Sequence, residues 1–503
     1  MMTDSRHTFE NDQDFETMLR RSVADLPPDD IVAQTVPGKT ALNRILIGYF
    51  LYTFTIGFIG LDYILPAIGQ ILVLLGFRAL QHENRWFGFC YILEVFHAIY
   101  LFAKLILNTT IIELPPLSEA FTLFALFINT LFIALSLFCF WRGLRNIQKK
   151  MGLRSKALGV LALLAWSLVP NAMVFLQLKS NFYFNSWQIL VVLIFIFILI
   201  LWIVSRTFKA LDNLGYVLQP APVQISNRSF TLILVALLLV GSTCGYLFFN
   251  NYSMEWSTKE NTLTPNIEET KHHLIDLGFP EYILNDLSAE DIAACEGATQ
   301  VLLNSDTKEY DSGVLIHEKH SIDMTNIVVL IPGEQPRLVL FHYFHWLTNP
   351  DFKGTDAIQL NPAYGQTPQS ALLASEVTGH VFYDNNGEHF SAPYYSIETR
   401  TKVDPIFTII GPYDLIFANF SFPRQGENYR GYITYSFTPL EGNQFYNSQA
   451  TYIHQEELLQ YPAMSAESYS LSRDYYSEFS PFSSIQPRSL MFDVTVDGIS
   501  LRE

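Results

Sequence analysis

Half of the 503 residues are hydrophobic, 40 of them phenylalanine, the formal net charge is −17, and the mean hydropathy is +0.20. A large soluble globule would disperse so many apolar residues between core and surface. Here they are gathered into runs long enough to cross about 30 Å of hydrocarbon, which excludes a wholly soluble protein.

Residues 1 to 43 hold Asp4, Glu10, Asp12, Asp14, Glu16, Asp25, Asp29 and Asp30 and lack the basic region and apolar core of a cleavable signal. They are expected to be a cytoplasmic N-terminal segment, leaving the first apolar helix as the insertion signal. Within this region Ala33-Gln-Thr-Val-Pro-Gly-Lys39-Thr40 has the end of a phosphate-binding loop, but Ala33 replaces the first glycine and no apolar strand precedes it. Lys39 therefore reads as a topogenic charge.

Residues 44 to 249 form the predicted membrane domain of about seven helices. The stretch 45 to 77 is too long for one ordinary pass and is interrupted by Gly60, Asp62 and Pro66, so it reads as a short helical hairpin, spanning or re-entrant. Further runs lie near 86 to 107, 120 to 141, 157 to 178, 186 to 204 and 229 to 249. Arg78, His82, Arg85, Arg142, Arg145, Lys149, Lys150, Arg206, Lys209 and Arg228 fall in alternate loops. Placing them in the cytoplasm puts the N-terminus inside and the C-terminal half outside.

The run 87 to 107 carries Glu94, His97 and Lys104. Glu94 and His97 are three apart and share a helical face, whereas Lys104 lies near the outer end and can extend its ammonium to the headgroups. A carboxylate at mid-depth is costly against lipid, so Glu94 is expected to face the bundle interior with His97 or Asp62. Fixing the packing of helices is the favoured role; a proton or ion path through Glu94 and His97 is the alternative.

After Asn250 no long apolar run remains, and residues 250 to 503 hold 13 Lys and Arg against 34 Asp and Glu, a balance of −21. Nucleic acid and anionic headgroups are poor partners for such a domain. Its only cysteine is Cys295, which rules out a disulfide within it and favours a bacterial envelope over a crosslinked ectodomain. The acceptor patterns at Asn108, Asn251 and Asn419 have no weight in a bacterium.

Residues 250 to 300 predict a juxtamembrane helical segment: Glu268 to Leu277, a stop at Gly278-Phe-Pro, then Glu281 to Leu287 and a helix capped by Ser288 with Asp291 three residues on. From 301 to 503 short aromatic and β-branched runs separated by Gly, Pro and Asn turns predict a β-rich extracytoplasmic domain, sandwich or jelly-roll-like. Expected strands are 325 to 331, 337 to 346, 379 to 384, 388 to 399, 407 to 410, 414 to 422, 429 to 437 and 490 to 496; Tyr469 to Phe479 reads as loop.

No metal or cofactor is expected. Glu269 and His273 share a helical face but supply two ligands at most, and His342 and His345 point to opposite faces of a strand, where they read as exposed histidines unrelated to metal. No Gly-x-Ser-x-Gly or His-Glu-x-x-His occurs. The ribbon Phe417 to Phe437 places Arg424, Tyr429, Arg430 and Tyr432 around a polar turn, a surface able to meet a glycan, peptide or protein ligand.

Together these features predict a multi-pass protein of the bacterial cell membrane with an extracytoplasmic ligand- or partner-binding domain, a sensor or an accessory subunit of a membrane complex. Its partners would be the bilayer, an envelope ligand, and a separate cytoplasmic signalling protein or a second copy. A transporter or channel and a membrane-bound enzyme acting on envelope substrates are the alternatives.

Overall fold

The computed structural model describes residues 37–54, 60–112, 119–152, 157–180, 187–213, 225–259, 264–312, 318–350, 352–364, 376–402, 413–440, 444–458, 460–472 and 481–502. The expected strand at 407 to 410 and the N-terminal segment up to 36 lie outside these residues. Two compact units divide the chain, Met1–Ile106 with Glu113–Val240 and Leu107–Ile112 with Gly241–Glu503.

The helical elements are α1 (Pro37–Thr53), α2 (Leu61–Leu80), α3 (Arg85–Leu107), α4 (Glu119–Lys150), α5 (Leu158–Ser180), α6 (Trp187–Asp212) and α7 (Asn227–Phe248). Among the described residues five stretches are long and apolar enough to cross a membrane: Leu61–Leu80, Arg85–Leu107, Thr130–Lys150, Val191–Leu211 and Asn227–Phe248. Of the three residues expected to interrupt the apolar stretch 45 to 77, Gly60 precedes α2, whereas Asp62 and Pro66 lie within it. Gly60 sits at φ 71°, a left-handed conformation that glycine adopts without a Cβ penalty, and α2 starts on the next residue.

Helices α1 and α2 then pack closely through small residues. A Cβ on Gly48 would lie 2.6 Å from the Gly69 carbonyl oxygen, and one on Gly76 would lie 2.7 Å from that of Ala41. Such spacing brings two backbones together, the means by which apolar helices associate without a hydrophobic driving force. Phe77, Phe87, Phe140 and Val204 extend this core to α3, α4 and α6.

The C-terminal unit contains two antiparallel sheets. Its elements are β1 (Ser257–Thr258), α8 (Pro265–Asp276), α9 (Glu281–Leu284), α10 (Ala289–Ala293), β2 (Gln300–Ser312), β3 (Glu318–Ile331), β4 (Arg337–Trp346), β5 (Asp356–Tyr364), β6 (Thr378–Asn385) and β7 (Glu388–Pro393). They continue with β8 (Ser396–Lys402), β9 (Tyr413–Phe420), β10 (Glu427–Phe437), β11 (Gln444–Gln455), α11 (Ala466–Leu471), β12 (Phe482–Ile485), β13 (Leu490–Thr495) and β14 (Gly498–Leu501). One sheet runs β1-β7-β6-β10-β4-β3-β2 and the other β14-β13-β11-β5-β9-β8, with β12 beside β11.

The facing sheets bury Leu340, Phe344 and Tyr435 of the first against Phe420, Tyr452 and Phe492 of the second. The opposite face of the first sheet is covered too: Leu274, Ile283 and Ile292 from the three helices, with Phe279 from the turn between α8 and α9, pack on Val339, Phe341 and Tyr432. Helix α11 does the same for the second sheet, with Tyr469 stacked on Phe482 at 4.7 Å. Tyr469 therefore belongs to a buried helix where the sequence suggested loop. Both sheets are covered on both faces over part of their area, so β4 and β10 are buried almost continuously and do not alternate.

Candidate functional site

Of the ionisable residues of the apolar run, Glu94 and His97 come together and Lys104 stands apart. Glu94 is buried at 3 % exposure and draws donors from three other helices. Tyr49 of α1 donates to its Oε1 at 3.2 Å, Ser136 of α4 to the same oxygen at 2.5 Å, and Gln70 of α2 to Oε2 at 2.9 Å. Its Oε2 lies 3.6 Å from His97 Nδ1, and His97 Nε2 meets the Tyr52 hydroxyl at 3.2 Å. Asp62, half-buried in the first turn of α2, is not among these partners, and Lys104 is exposed. The sequence located the carboxylate, while Tyr49, Gln70 and Ser136 carried no signal that distinguished them from ordinary helix polarity.

The residues of the aromatic ribbon also separate. Arg424 is exposed, but Tyr429 and Tyr432 are fully buried and Arg430 is 8 % exposed, so the four do not share a surface. Tyr429 packs on Phe422 at 4.7 Å and donates to the carbonyls of Pro423 and Gly426; burial pushes its phenol up to about 12. Tyr432 donates to Asp291 at 2.6 Å, and burial followed by that carboxylate holds its phenol well above the usual range.

Arg430 is the centre of a charged group that the sequence does not reveal. Its Nε and Nη2 grip both oxygens of Asp286 at 2.8 and 3.3 Å, and its Nη1 reaches Asp384 at 3.0 Å. Tyr343 donates to Asp286 at 2.9 Å. Burial opposes the guanidinium's charge, but the two carboxylates outweigh it and hold its pKa above the ordinary arginine value. On the other side of Asp286, Lys259 Nζ lies 3.6 Å from Oδ1, donates to the Asn285 carbonyl, and sits 4.9 Å from the Phe382 ring centroid.

Of these groups Lys259, Asn285, Asp286 and Phe382 line a pocket of about 680 Å³ between β1, the helices α8 to α10 and strands β6 and β7. That volume falls within the range of small-molecule sites, about 300–1,000 Å³. Lys259, Lys271, Glu268, Asp286 and His380 line it. The Lys259 side chain is 15 % exposed, and burial depresses its pKa, with Arg430 acting in the same direction and Asp286 against. Burial likewise lowers His380. The imidazole is therefore mostly neutral near pH 7, leaving the two lysines as the cationic side chains of the wall.

The histidines of β4 are not free surface groups. His342 is 3 % exposed, with Nδ1 2.6 Å from Asn326 Oδ1 and Nε2 2.9 Å from Ser448 Oγ, bridging the two sheets; desolvation lowers it to about 3. The sequence reading placed it outward because alternation was assumed. Ser448, His342 and Asn326 have the order of a hydrolytic triad, yet all three are buried within the sandwich, so they act as a neutral polar bridge. His273, which shares a helical face with Glu269, bonds the Ala298 carbonyl at 2.8 Å. Among the described residues no group of three or more His, Cys, Asp or Glu side chains is placed to hold a metal.

No protein-family model and no curated protein matches the sequence. Similar solved structures include the KRT10-binding region domain of the pneumococcal serine rich repeat protein PsrP, 10 % identical, covering 38 % of this chain and 98 % of that one at a TM-score of 0.19. Another, described as a pore forming protein, is 9 % identical and covers 40 % of this chain and 95 % of that one at a TM-score of 0.13. Scores this low carry no functional argument.

Proposed function

We propose that the chain is a multi-pass membrane protein of the bacterial cell envelope whose C-terminal domain lies outside the membrane and binds a ligand there, as a sensor or an accessory subunit of a membrane complex. The observation that carries this reading is the pocket beside Lys259 and Asp286, a concave site of mixed polar and apolar lining in a chain whose described residues include five long apolar helices. The positive loops on one side of those helices set the orientation, with the N-terminus in the cytoplasm. The Glu94 group is a packing device in this reading, because its carboxylate already accepts three side-chain hydrogen bonds from neighbouring helices.

Protease treatment of intact spheroplasts tests the orientation: fragments of the region after Asn250 are expected outside, with residues up to 249 retained in the membrane. A C-terminal reporter active only in the cytoplasm would overturn it. A fragment screen against the full-length protein in detergent, read by protection of Lys259 from acylation, tests the ligand site; a screen spanning acids, bases and neutral compounds with no protecting member would refute it.

A further inference from the structure

We infer that the cytoplasmic ends of α3 and α4 form a site for an anionic phospholipid, whose phosphate is received by Arg142 and Arg145. This rests on the reading of the chain as a membrane protein and is independent of the pocket in the C-terminal domain.

The two helices are fastened to each other where the site forms. Asn84, just before α3, accepts through its side-chain oxygen from the amides of Trp86 and Phe87 at 3.0 and 3.2 Å, and its side-chain nitrogen donates to the Gly143 carbonyl of α4 at 3.2 Å. A Cβ on Gly143 would lie 2.8 Å from the Phe87 ring, so the helices approach closely here. Arg142 is thereby set against Trp86. Its guanidinium carbon lies 5.7 Å from the centroid of that ring, 5.6 Å from that of Phe138 and 5.4 Å from that of Trp141. Arg145 approaches the Trp141 ring as well, at 5.3 Å.

Aromatic rings attract a guanidinium and hold it in place, but they supply no oxygen for its N–H donors. Arg78 shows the alternative: it lies 4.5 Å from the Phe230 centroid, yet it also donates to the Ile225 carbonyl at 2.5 Å and to Asn227 at 3.4 Å, so it is a structural tie. Among the described residues neither Arg142 nor Arg145 has a hydrogen-bonding or ionic partner. The two segments that meet here, 78 to 91 and 138 to 152, carry Arg78, Arg85, Arg142, Arg145, Lys149 and Lys150 against Glu83 alone, a balance of +5. A phosphate matches the planar fork of an arginine and answers that charge.

The rings favour a lipid over a free anion. Phe89 and Phe138, 52 % and 37 % exposed, stand 6.2 and 6.3 Å from Trp86, so apolar surface adjoins the guanidinium on the same face of the helix pair. Tryptophans gather at headgroup level, where acyl chains meet phosphates. A zwitterionic lipid would bring its own ammonium against these cations, whereas an anionic one brings only its phosphate charge.

The test titrates the full-length protein in detergent with phosphatidylglycerol and with phosphatidylethanolamine of the same acyl chains, and native mass spectrometry reads the affinity for each. Phosphatidylglycerol is expected to bind at least about tenfold more tightly, and Arg142→Met to weaken it by about fivefold or more. Lys149→Met is the control. It removes the same charge about 10 Å further along α4, beyond the screening length of about 8 Å at physiological salt, and should change the affinity by less than about twofold. Equal affinity for the two lipids, an affinity unchanged in Arg142→Met, or equal losses in Arg142→Met and Lys149→Met would each overturn the proposal. Displacement of the lipid by inorganic phosphate would make this a free-anion site, and displacement by a peptide of the acidic residues 1 to 36 would give it to the chain's own segment; either result overturns the proposal as well. Comparison of the two lipids on the unmodified protein remains decisive should Arg142→Met fail to fold. Loss of the lipid preference alone would leave the membrane reading intact, whereas a protein that stays monodisperse without detergent would reject both.

Discussion

Arg430→Met is expected to destabilise the C-terminal domain by about 3 kcal/mol. Breaking one partner of a buried pair typically costs about 3–5 kcal/mol, because the other charge is left in a poorly solvated site. The environment of each orphaned group sets where in that range the loss falls. Asp286 would keep the Tyr343 hydroxyl at 2.9 Å and Lys259 at 3.6 Å. Asp384 would keep Asn428 at 2.6 Å and His389 at 2.8 Å, with 13 % of its side chain exposed to water. These remaining partners place the loss at the lower end. For a domain of this size each kcal/mol lowers the melting temperature by about 2–4 °C, so the shift should be roughly 6–12 °C. Differential scanning fluorimetry of the full-length protein in detergent, checked by urea unfolding, measures it. Adding Asp286→Asn removes the stranded charge and should recover part of the loss, giving a non-additive cycle. A single variant that melts within 2 °C of the unmodified protein would refute the reasoning. Strict additivity in the double variant would do so as well.

Three further outcomes follow from the same geometry. His342 has a folded pKa of about 3 against about 6.5 unfolded, so the unfolded chain takes up the proton first. Its contribution is complete above pH 6.5 and is lost as pH falls toward 3, at up to about 1.4 kcal/mol per unit; urea midpoints at pH 7 and 5.5 should differ less in His342→Gln. Glu94→Ala leaves the donors Tyr49, Gln70 and Ser136 without their acceptor, a loss of about 2 kcal/mol at roughly 0.6 kcal/mol per interhelical bond, read as lower abundance of folded protein in membranes; unchanged abundance and melting would contradict the packing role. Cys295 is fully buried with its thiol pushed up to about 12, so maleimide labelling located by mass spectrometry should miss it in the folded protein and find it after denaturation.

What the sequence made legible were the demands of single elements. Apolar length identified the helices, Gly60 marked the break between α1 and α2, and a carboxylate within an apolar run had to turn inward. The Ser288 cap was equally readable, and its hydroxyl accepts from the Asp291 amide at 3.1 Å. The answers to those demands were not local. Glu94 required donors, but nothing in sequence separates Gln70 and Ser136 from other polar residues on apolar helices. Strand β2 was missed for a different reason: it forms an edge of its sheet, and its charged, half-exposed residues lack the apolar alternation of an interior strand.

Arg430 shows most directly why a pattern of residues can indicate an element without indicating its faces. In β10 every residue from Tyr429 to Phe437 is buried, because the second sheet covers one face and the helices α8 to α10 cover the other. Period-two reasoning sorts side chains into core and solvent only where one face is open. When both are covered, an arginine on the strand is no longer a surface group, and it must find carboxylates. Those carboxylates, Asp286 and Asp384, lie 144 and 46 residues earlier in the chain. The setting of Asp286 in the pocket wall is therefore a property of the packed layers, and the residue that looked most like an exposed ligand contact serves instead to fix that carboxylate.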